Sequence, residues 1–444
     1  MVAVGRGSRS ITYKLHKANL ERIKLRRERV LIAIATAIAE DEEVSEVKPR
    51  KSPRIRNRAR VSDLFDDLGG RGRRAYRMSF KAFCVLFRKI KNELDETFKP
   101  DGGHHSDAYK IRNSLRLSCA LRFYAGASIY DLIHSHGISS SQIYDSAWGV
   151  ADAINNCKDL DFPGFSHEEQ KKNAEGFFNR SAAGFDKIIG AVDGMLVWTR
   201  MPTDEECAMA RTGHGKFKCT RKGKYGLNMQ AACDSERRFI WISIITPGTT
   251  SDYLSYITSD LIKTIKDPGV LLPGHVFVGD NAYVKSVEMA TPIKNARPGV
   301  EDDYNYYCSQ LCIIIECAFG ILVQRWGILR RPLLCNFQRI PALITALCRL
   351  HNFCIDNREN VAPTRSSDIV AIRRCARKNA NGADEVRLDE NNRPVSLLNA
   401  ADGIRSDTGS RPCRLEGDGF TMDAMLEKVK RLGLRRPKRN CRRA

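Results

Sequence analysis

Three carboxylates stand in surroundings that give no ordinary reason for a charge. Glu316 lies in the middle of the apolar run Leu311-Cys312-Ile313-Ile314-Ile315-Glu316-Cys317-Ala318-Phe319-Gly320-Ile321-Leu322, where an unpaired charge would be costly to bury. Asp280 ends the run Val276-Phe277-Val278-Gly279, and Asp193 ends Ile188-Ile189-Gly190-Ala191-Val192 just before Gly194. Carboxylates without an imidazole among them suit hard cations such as Mg²⁺, which prefer oxygen ligands. Two such ions, roughly 3.5 to 4 Å apart, can hold the attacking and leaving oxygens of a phosphodiester displacement. Singly, each acid is weak evidence: an Asp-Gly after a strand is ordinary turn chemistry, and a lone Glu in an apolar helix can be a half-exposed residue at the helix edge. The three together carry the reading.

Each acid needs an element to hold it. At helical period Ile315, Phe319, Leu322 and Trp326 share one stripe, while Cys312, Glu316 and Gly320 fall on a neighbouring face. The β-branched triplet Ile313 to Ile315 would also suit a strand. The runs ending at Asp193 and Asp280 read as short buried strands that deliver acids to their ends, and a second short apolar run, Met195 to Trp198, follows the first. Tyr225 to Cys233 and Phe239 to Thr246 alternate like a hairpin joined by Asp234-Ser235-Glu236-Arg237. Asp252 opens a helix through Leu261 and Ile262, and the stretch from Asp280 to Glu316 has room for a crossover and another strand. Between Thr199 and Tyr225 lies a long polar loop carrying Arg211, Lys216, Lys218, Arg221, Lys222 and Lys224. Such a loop is solvated in any case, but this sign of charge suits phosphates.

Six segments in this order resemble the DDE transposases of the PIF/Harbinger class, which includes domesticated Harbinger-derived nucleases. They are Gly190-Ala191-Val192-Asp193-Gly194; Lys224 to Asp234; Thr250-Ser251-Asp252; Gly279-Asp280-Asn281-Ala282-Tyr283; Ile315 to Gly320 with Gln324 to Leu329; and Leu350-His351-Asn352-Phe353-Cys354. The resemblance implies an α/β fold with an RNase H-like catalytic domain and a catalytic triad of Asp193, Asp280 and Glu316. It implies a divalent metal, Mg²⁺ or Mn²⁺, with Asp193 bridging two ions, Asp280 on one and Glu316 on the other. The implied activity is cleavage of double-stranded DNA at terminal inverted repeats and strand transfer into a target site. It also implies a homo-oligomer and a Myb-like accessory DNA-binding partner. One position departs: the family pattern places an Arg four residues before the Glu, where this chain has Cys312. The alternative is a domesticated relative that binds DNA and cuts weakly or not at all. A metal-free hydrolase fits less well, since no Ser or Cys nucleophile lies in a recognisable elbow with His and acid partners.

The composition leans the same way. With 73 basic against 52 acidic residues the chain carries +21, which favours a polyanionic partner through counterion release, although anionic membranes and ribosomes attract such charge too. A hydrophobic content of 42% supports a full core in at least one domain. The fifteen cysteines are scattered, and Cys84, Cys119, Cys317 and Cys348 lie within apolar helical patterns, as reduced core thiols do. Cys308, Cys312 and Cys317 have no zinc-spaced His partner, and His104-His105 sits in a Gly-rich loop. The run Leu31 to Ala39 is too short to span a bilayer.

Four regions follow. Residues 1–60 form a basic arm with one helix through Leu20, Ile23, Val30, Ile34 and Ile38 and a break at Lys48 to Arg54, a DNA-binding arm, an import signal or a solvated linker. Residues 61–180 are helical. Ser128 opens a short helix that stops near Gly137, and Ser139 with Gln142 forms a capping box before a longer helix. This is the layout of a helix-turn-helix, whose second helix would offer Ser140, Ser141, Gln142 and Tyr144 to a major groove, although helical hairpins are mostly structural. Residues 181–356 form the DDE endonuclease domain, in which His351 satisfies a structural hydrogen bond. Residues 357–444 make a largely disordered tail ending in the basic cluster Arg435 to Arg443, which suits nuclear localisation or nonspecific DNA contact.

Overall fold

In a computed structural model the described residues are 60–66, 68, 71–99, 111–359 and 422–437. The expected N-terminal helix, the His104-His105 pair and most of the C-terminal tail fall outside them. The first part is helical: α1 (Val61–Asp66), α2 (Gly72–Tyr76), α3 (Phe80–Thr97), α4 (Asn113–Tyr124), α5 (Ile129–His136), α6 (Ser140–Asn156) and α7 (His167–Arg180). In α3 the Ser79 hydroxyl caps the first turn by accepting from Ala82 N, and Ala82, Phe83, Leu86, Ile90 and Leu94 recur on the buried face. Tyr76 ends the short helix α2, because Arg77 takes a left-handed conformation and separates it from α3. Gly137 does the same work after α5 at φ 63°, where a side chain would be strained. The capping box at Ser139 and Gln142 then opens α6 as expected.

The second part is a mixed sheet with helices on both faces. Its strands are β1 (Ile188–Trp198), β2 (Lys218–Cys219), β3 (Lys224–Cys233), β4 (Phe239–Pro247), β5 (Val276–Gly279) and β6 (Met289–Ala290). Along the sheet the order is β2-β3-β1-β5-β6, with β4 also on β3. The pairings of β3 with β1, β2 and β4 are antiparallel, and those of β5 with β1 and β6 are parallel. The helices of this part are α8 (Asp204–Met209), α9 (Asp252–Ile257), α10 (Asp260–Lys266), α11 (Val300–Arg325) and α12 (Ile340–Asp356). Strand alternation divides the side chains. Ala191, Val197, Met229 and Ala231 join the main core with Leu311, Ile315 and Leu322 of α11, while Val192, Ala232 and Phe277 pack with Tyr256, Leu261, Ile262 and Tyr283 on the other face.

The same main core takes in Leu86, Leu121, Tyr124 and Val150 from the helical part, so no seam of solvent separates the two. Backbone meets backbone at Gly126 and Gly327, where a Cβ on Gly327 would fall 2.4 Å from the Ala125 carbonyl oxygen. Trp326 packs edge-on against Tyr124, and its indole N–H donates to Leu347 O.

Several expectations need correcting. Asp193 is not at a strand end: β1 runs on to Trp198 because its ladder with β3 continues to Trp198↔Gly226. Thr199 to Tyr225 is no simple loop but holds α8, a 3₁₀ turn His214–Phe217 and β2. The helix from Asp252 is broken at Thr258-Ser259 into α9 and α10. The Ile313 to Ile315 triplet is helical, inside a helix that begins at Val300. That helix is long and apolar enough to cross a membrane by length and composition, yet half of its most apolar stretch is buried inside the fold. Finally, part of the expected tail is ordered as α13 (Met422–Arg431). Met425 and Val429 enter the main core, Lys428 Nζ donates to Gly184 O and lies 3.7 Å from Asp186, and Arg435 and Arg436 reach Asp303 and Asp302 at the start of α11.

Candidate active site

The β1–β5 register places the first two acids. Ala191 pairs with Val278 and Val192 with Gly279, so the next residues of the two parallel strands, Asp193 and Asp280, stand side by side. Neighbouring strands lie about 4.8 Å apart and register partners point to the same face. That face is the one α11 covers, since Ala191 and Val278, two residues earlier, belong to the core with Ile315 and Leu311. The parallel pairing stops at Val192, while β1 itself continues beside β3, where Asp193 pairs with Ala231. One Asp193 carboxylate oxygen accepts from Gly194 N at 2.7 Å, and one Asp280 oxygen from Ala282 N at 2.8 Å. Glu316 sits half-buried on α11, one turn beyond Cys312.

These groups act on one another. The Asp193 carboxyl is pushed well above the ordinary range by burial first and then by the charge of Asp280, with Asp252 and Glu316 adding and the Gly194 N–H opposing. Asp280 is raised by burial, with Asp252 adding and the Ala282 N–H and Arg221 opposing. The Cys312 thiol is raised by its hydrogen bond with Cys308, by burial and by the fields of Asp280 and Asp193. It is therefore a neutral group within the field of the acids. The twelve described cysteines are all free thiols, as the sequence suggests.

The donor set suits a divalent cation: its members are carboxylates, and the half-buried pair at its centre is held away from ionisation by desolvation and by the charge of neighbouring acids, which a cation would offset. The geometry stops short of a closed site. Among the described residues no group of three Asp, Glu, His or Cys side chains is placed to hold a metal ion. The structure brings Asp193 and Asp280 together and sets Glu316 within their field.

The residues expected to touch DNA fall in two places. Lys216 lies in the 3₁₀ turn, Lys218 on β2, Arg221 and Lys222 in the turn that follows, and Lys224 at the start of β3, all exposed. Of these, Arg221 acts on the acids through its charge, which lowers the Asp280 carboxyl. Lys224 Nζ rests 3.8 Å from the centre of the Trp198 ring, a cation–π contact. On α6, Ser140 and Ser141 are exposed and Tyr144 is 45% exposed. Gln142 is partly committed, its side-chain carbonyl accepting from Ser139 N at 3.0 Å. His351 is buried, its Nε2 2.9 Å from Arg237 O, and burial pushes its pKa down to about 3, which leaves it a neutral structural donor.

Sequence reasoning gave Asp252 no role beside the acids, although its charge adds to the field on Asp193 and Asp280. Its signal was that of a helix start, with Ser251 accepting from Leu254 N, and nothing local marks that its carboxylate turns inward.

Residues 192–352 match the family model described as DDE superfamily endonuclease, which supports a DDE transposase-like nuclease in this part of the chain. No curated protein and no solved structure matches the chain.

Proposed function

We propose that the protein is a PIF/Harbinger-class DDE transposase, or a nuclease derived from one, with an RNase H-like catalytic domain that cuts DNA and transfers the cut strand. The β1–β5 register that sets Asp193 beside Asp280 under the Glu316 helix carries the reading. Asp193, Asp280 and Glu316 would hold Mg²⁺ or Mn²⁺, which when bound stabilises charge on the in-line phosphoryl transition state. The chain's own part is to present oxygens from two rigid strands and one helix, to keep that face shielded beneath α11, and to line the approach with Lys216, Lys218, Arg221, Lys222 and Lys224 for the DNA phosphates. Ser140, Ser141, Gln142 and Tyr144 at the start of α6 are the proposed base-reading edge. A nuclear location, binding of terminal repeats, self-association and a Myb-like accessory protein belong to the same proposal.

Nicking of supercoiled plasmid by purified protein tests it. Activity should require Mg²⁺ or Mn²⁺ and disappear in Asp280→Asn, a nearly isosteric change that should leave folding and DNA affinity intact. Nicking at the wild-type rate by that variant would remove Asp280 from the mechanism. The base-reading edge calls for point changes such as Ser141→Ala and Tyr144→Ala, which should flatten the preference for terminal over scrambled DNA. Deletion of α4 to α6 is no test, since Leu121, Tyr124 and Val150 belong to the shared core. A second reading, a weakly cutting DNA-binding protein, draws support from Cys312, a neutral side chain within the field of Asp193 and Asp280.

A further inference from the structure

On the sheet face turned away from α11 lies a row of polar side chains that strand cleavage as described leaves unused. Register places Gly194 opposite Gln230 and Leu196 opposite Asn228, so these four share the face opposite to Asp193. Asp252, at the first position of α9, reaches this row. One of its oxygens accepts from Asn228 Nδ2 at 3.0 Å and from Gln230 Nε2 at 3.1 Å, and Asn228 Nδ2 also donates to Thr250 O at 2.9 Å. The Gln230 carbonyl accepts in turn from the Tyr283 hydroxyl at 2.6 Å. Tyr283 closes the turn after β5, where its backbone N–H donates to Asp280 O at 3.2 Å. Gln230 and Tyr283 are each 1% exposed. At Gly194 the row touches β1: a Cβ there would fall 2.0 Å from the Asp252 oxygen and 2.6 Å from Gln230 Nε2. Only a glycine lets the row close beneath the residue that follows Asp193.

We propose that Tyr283, Gln230 and Asp252 are positioning residues, a staple running under β1 that ties the turn carrying Asp280 to the strand carrying Asp193 and so fixes the spacing of the two carboxylates. This rests on the reading that Asp193 and Asp280 hold a divalent ion. A staple is needed on mechanical grounds. β5 is four residues long, and Asp280 sits just past its end, where no ladder restrains it against repulsion from Asp193. A buried network whose members are all paired resists such movement, and loss of one member leaves a buried acceptor unsatisfied.

Mn²⁺ binding to the full-length protein without DNA, followed by electron paramagnetic resonance of the free ion, tests the staple. Tyr283→Phe removes one hydroxyl and keeps the ring against Tyr256, whose centre lies 5.6 Å away. We expect Mn²⁺ affinity to fall about 10-fold or more, as for outer-shell partners of metal ligands generally. Amide exchange over residues 276–284 should quicken while the thermal midpoint stays near wild type. In nicking assays the half-saturating Mn²⁺ should rise with the saturated rate preserved. Gly194→Ala, which pushes Asp252 and Gln230 out of the row, should give the same loss of affinity together with a lower thermal midpoint. If Tyr283→Phe does not fold, Gln230→Glu, which keeps the acceptor for Tyr283 and loses the donor to Asp252, must show it. Wild-type affinity in these variants overturns the staple and leaves the cation site standing. Failure of the wild-type protein to bind Mn²⁺ overturns the cation site and the staple with it.

Discussion

Gly327→Ala puts a methyl group where the helical part meets the turn after α11. The new Cβ would lie 2.4 Å from the Ala125 carbonyl oxygen and 3.2 Å from its carbon. That is about 1 Å inside ordinary contact, where repulsion is steep. Both partners are backbone, so neither can swing aside. The turn at Gly126 is held from its other side by Arg331, whose guanidinium donates to Gly126 O at 2.9 Å, and the two chains must part against that restraint. Overpacking of this kind costs about 1 to 3 kcal/mol, which for a body of this size is a fall of roughly 2 to 5 °C in Tm. Gly320→Ala on the same helix is the control. Its Cβ meets nothing within 4 Å, so exchanging a mid-helix glycine for alanine should stabilise by about 0.5 to 1 kcal/mol. Differential scanning calorimetry of the two variants decides: equal midpoints, or a Gly327→Ala midpoint at or above wild type, would refute a rigid seam between Ala125 and Gly327.

Cys312→Arg should nick faster at saturating Mg²⁺, since a cation would replace a neutral thiol that is 7% exposed and lies within the field of Asp193 and Asp280; equal rates would make Cys312 a neutral variant. Lys428→Ala leaves Asp186 buried without its ion-pair partner and should cost about 3 to 5 kcal/mol, part of it recovered by adding Asp186→Asn; urea titration of single and double variants reads this, and additive effects would break the pairing. His136 is buried between Ser118 and Ser135, with its pKa pushed down from 6.5 to about 4. The unfolded chain then binds the extra proton first, so this stabilisation is complete above about pH 6.5 and is lost as pH falls toward 4. His136→Gln should therefore narrow the gap in Tm between pH 7 and pH 5, and an unchanged gap would show that His136 does not titrate with unfolding.

Local signals in the sequence were strong wherever one residue type has one reason to be there. The caps at Ser128 and Ser139 and the hairpin turn at Asp234 are of this kind; the Asp234 carboxylate accepts from Glu236 N and Arg238 N, both at 2.8 Å. The acids Asp193 and Asp280 were legible as strand-borne, but their adjacency is a property of a parallel register that no local pattern encodes. β1 was cut short on paper because Asp-Gly is a turn signal. Its partner β3 continues the ladder past that point, and tertiary pairing overrides the signal. Asp252 stayed hidden because its surroundings are those of any helix start, and its partners Asn228 and Gln230 come from another strand. α13 was missed because its apolar positions, Met422, Met425, Leu426 and Val429, form a single short stripe in polar sequence, and what orders them is the surface of α11 and the buried Gly184 carbonyl.

The core shared between α6 and α11 has a metric consequence. Tyr124 against Trp326 and the backbone contact of Gly126 with Gly327 leave no hinge between the edge formed by Ser140, Ser141 and Tyr144 and the face that holds Asp193, Asp280 and Glu316. A protein that reads DNA with one and cuts it with the other then works as a caliper. The distance from recognised sequence to scissile phosphate is set by the thickness of the protein body and not by a sequence at the cut. An extra base pair inserted between the two would move the break by that base pair, and the same span would be marked off on every site the edge can hold.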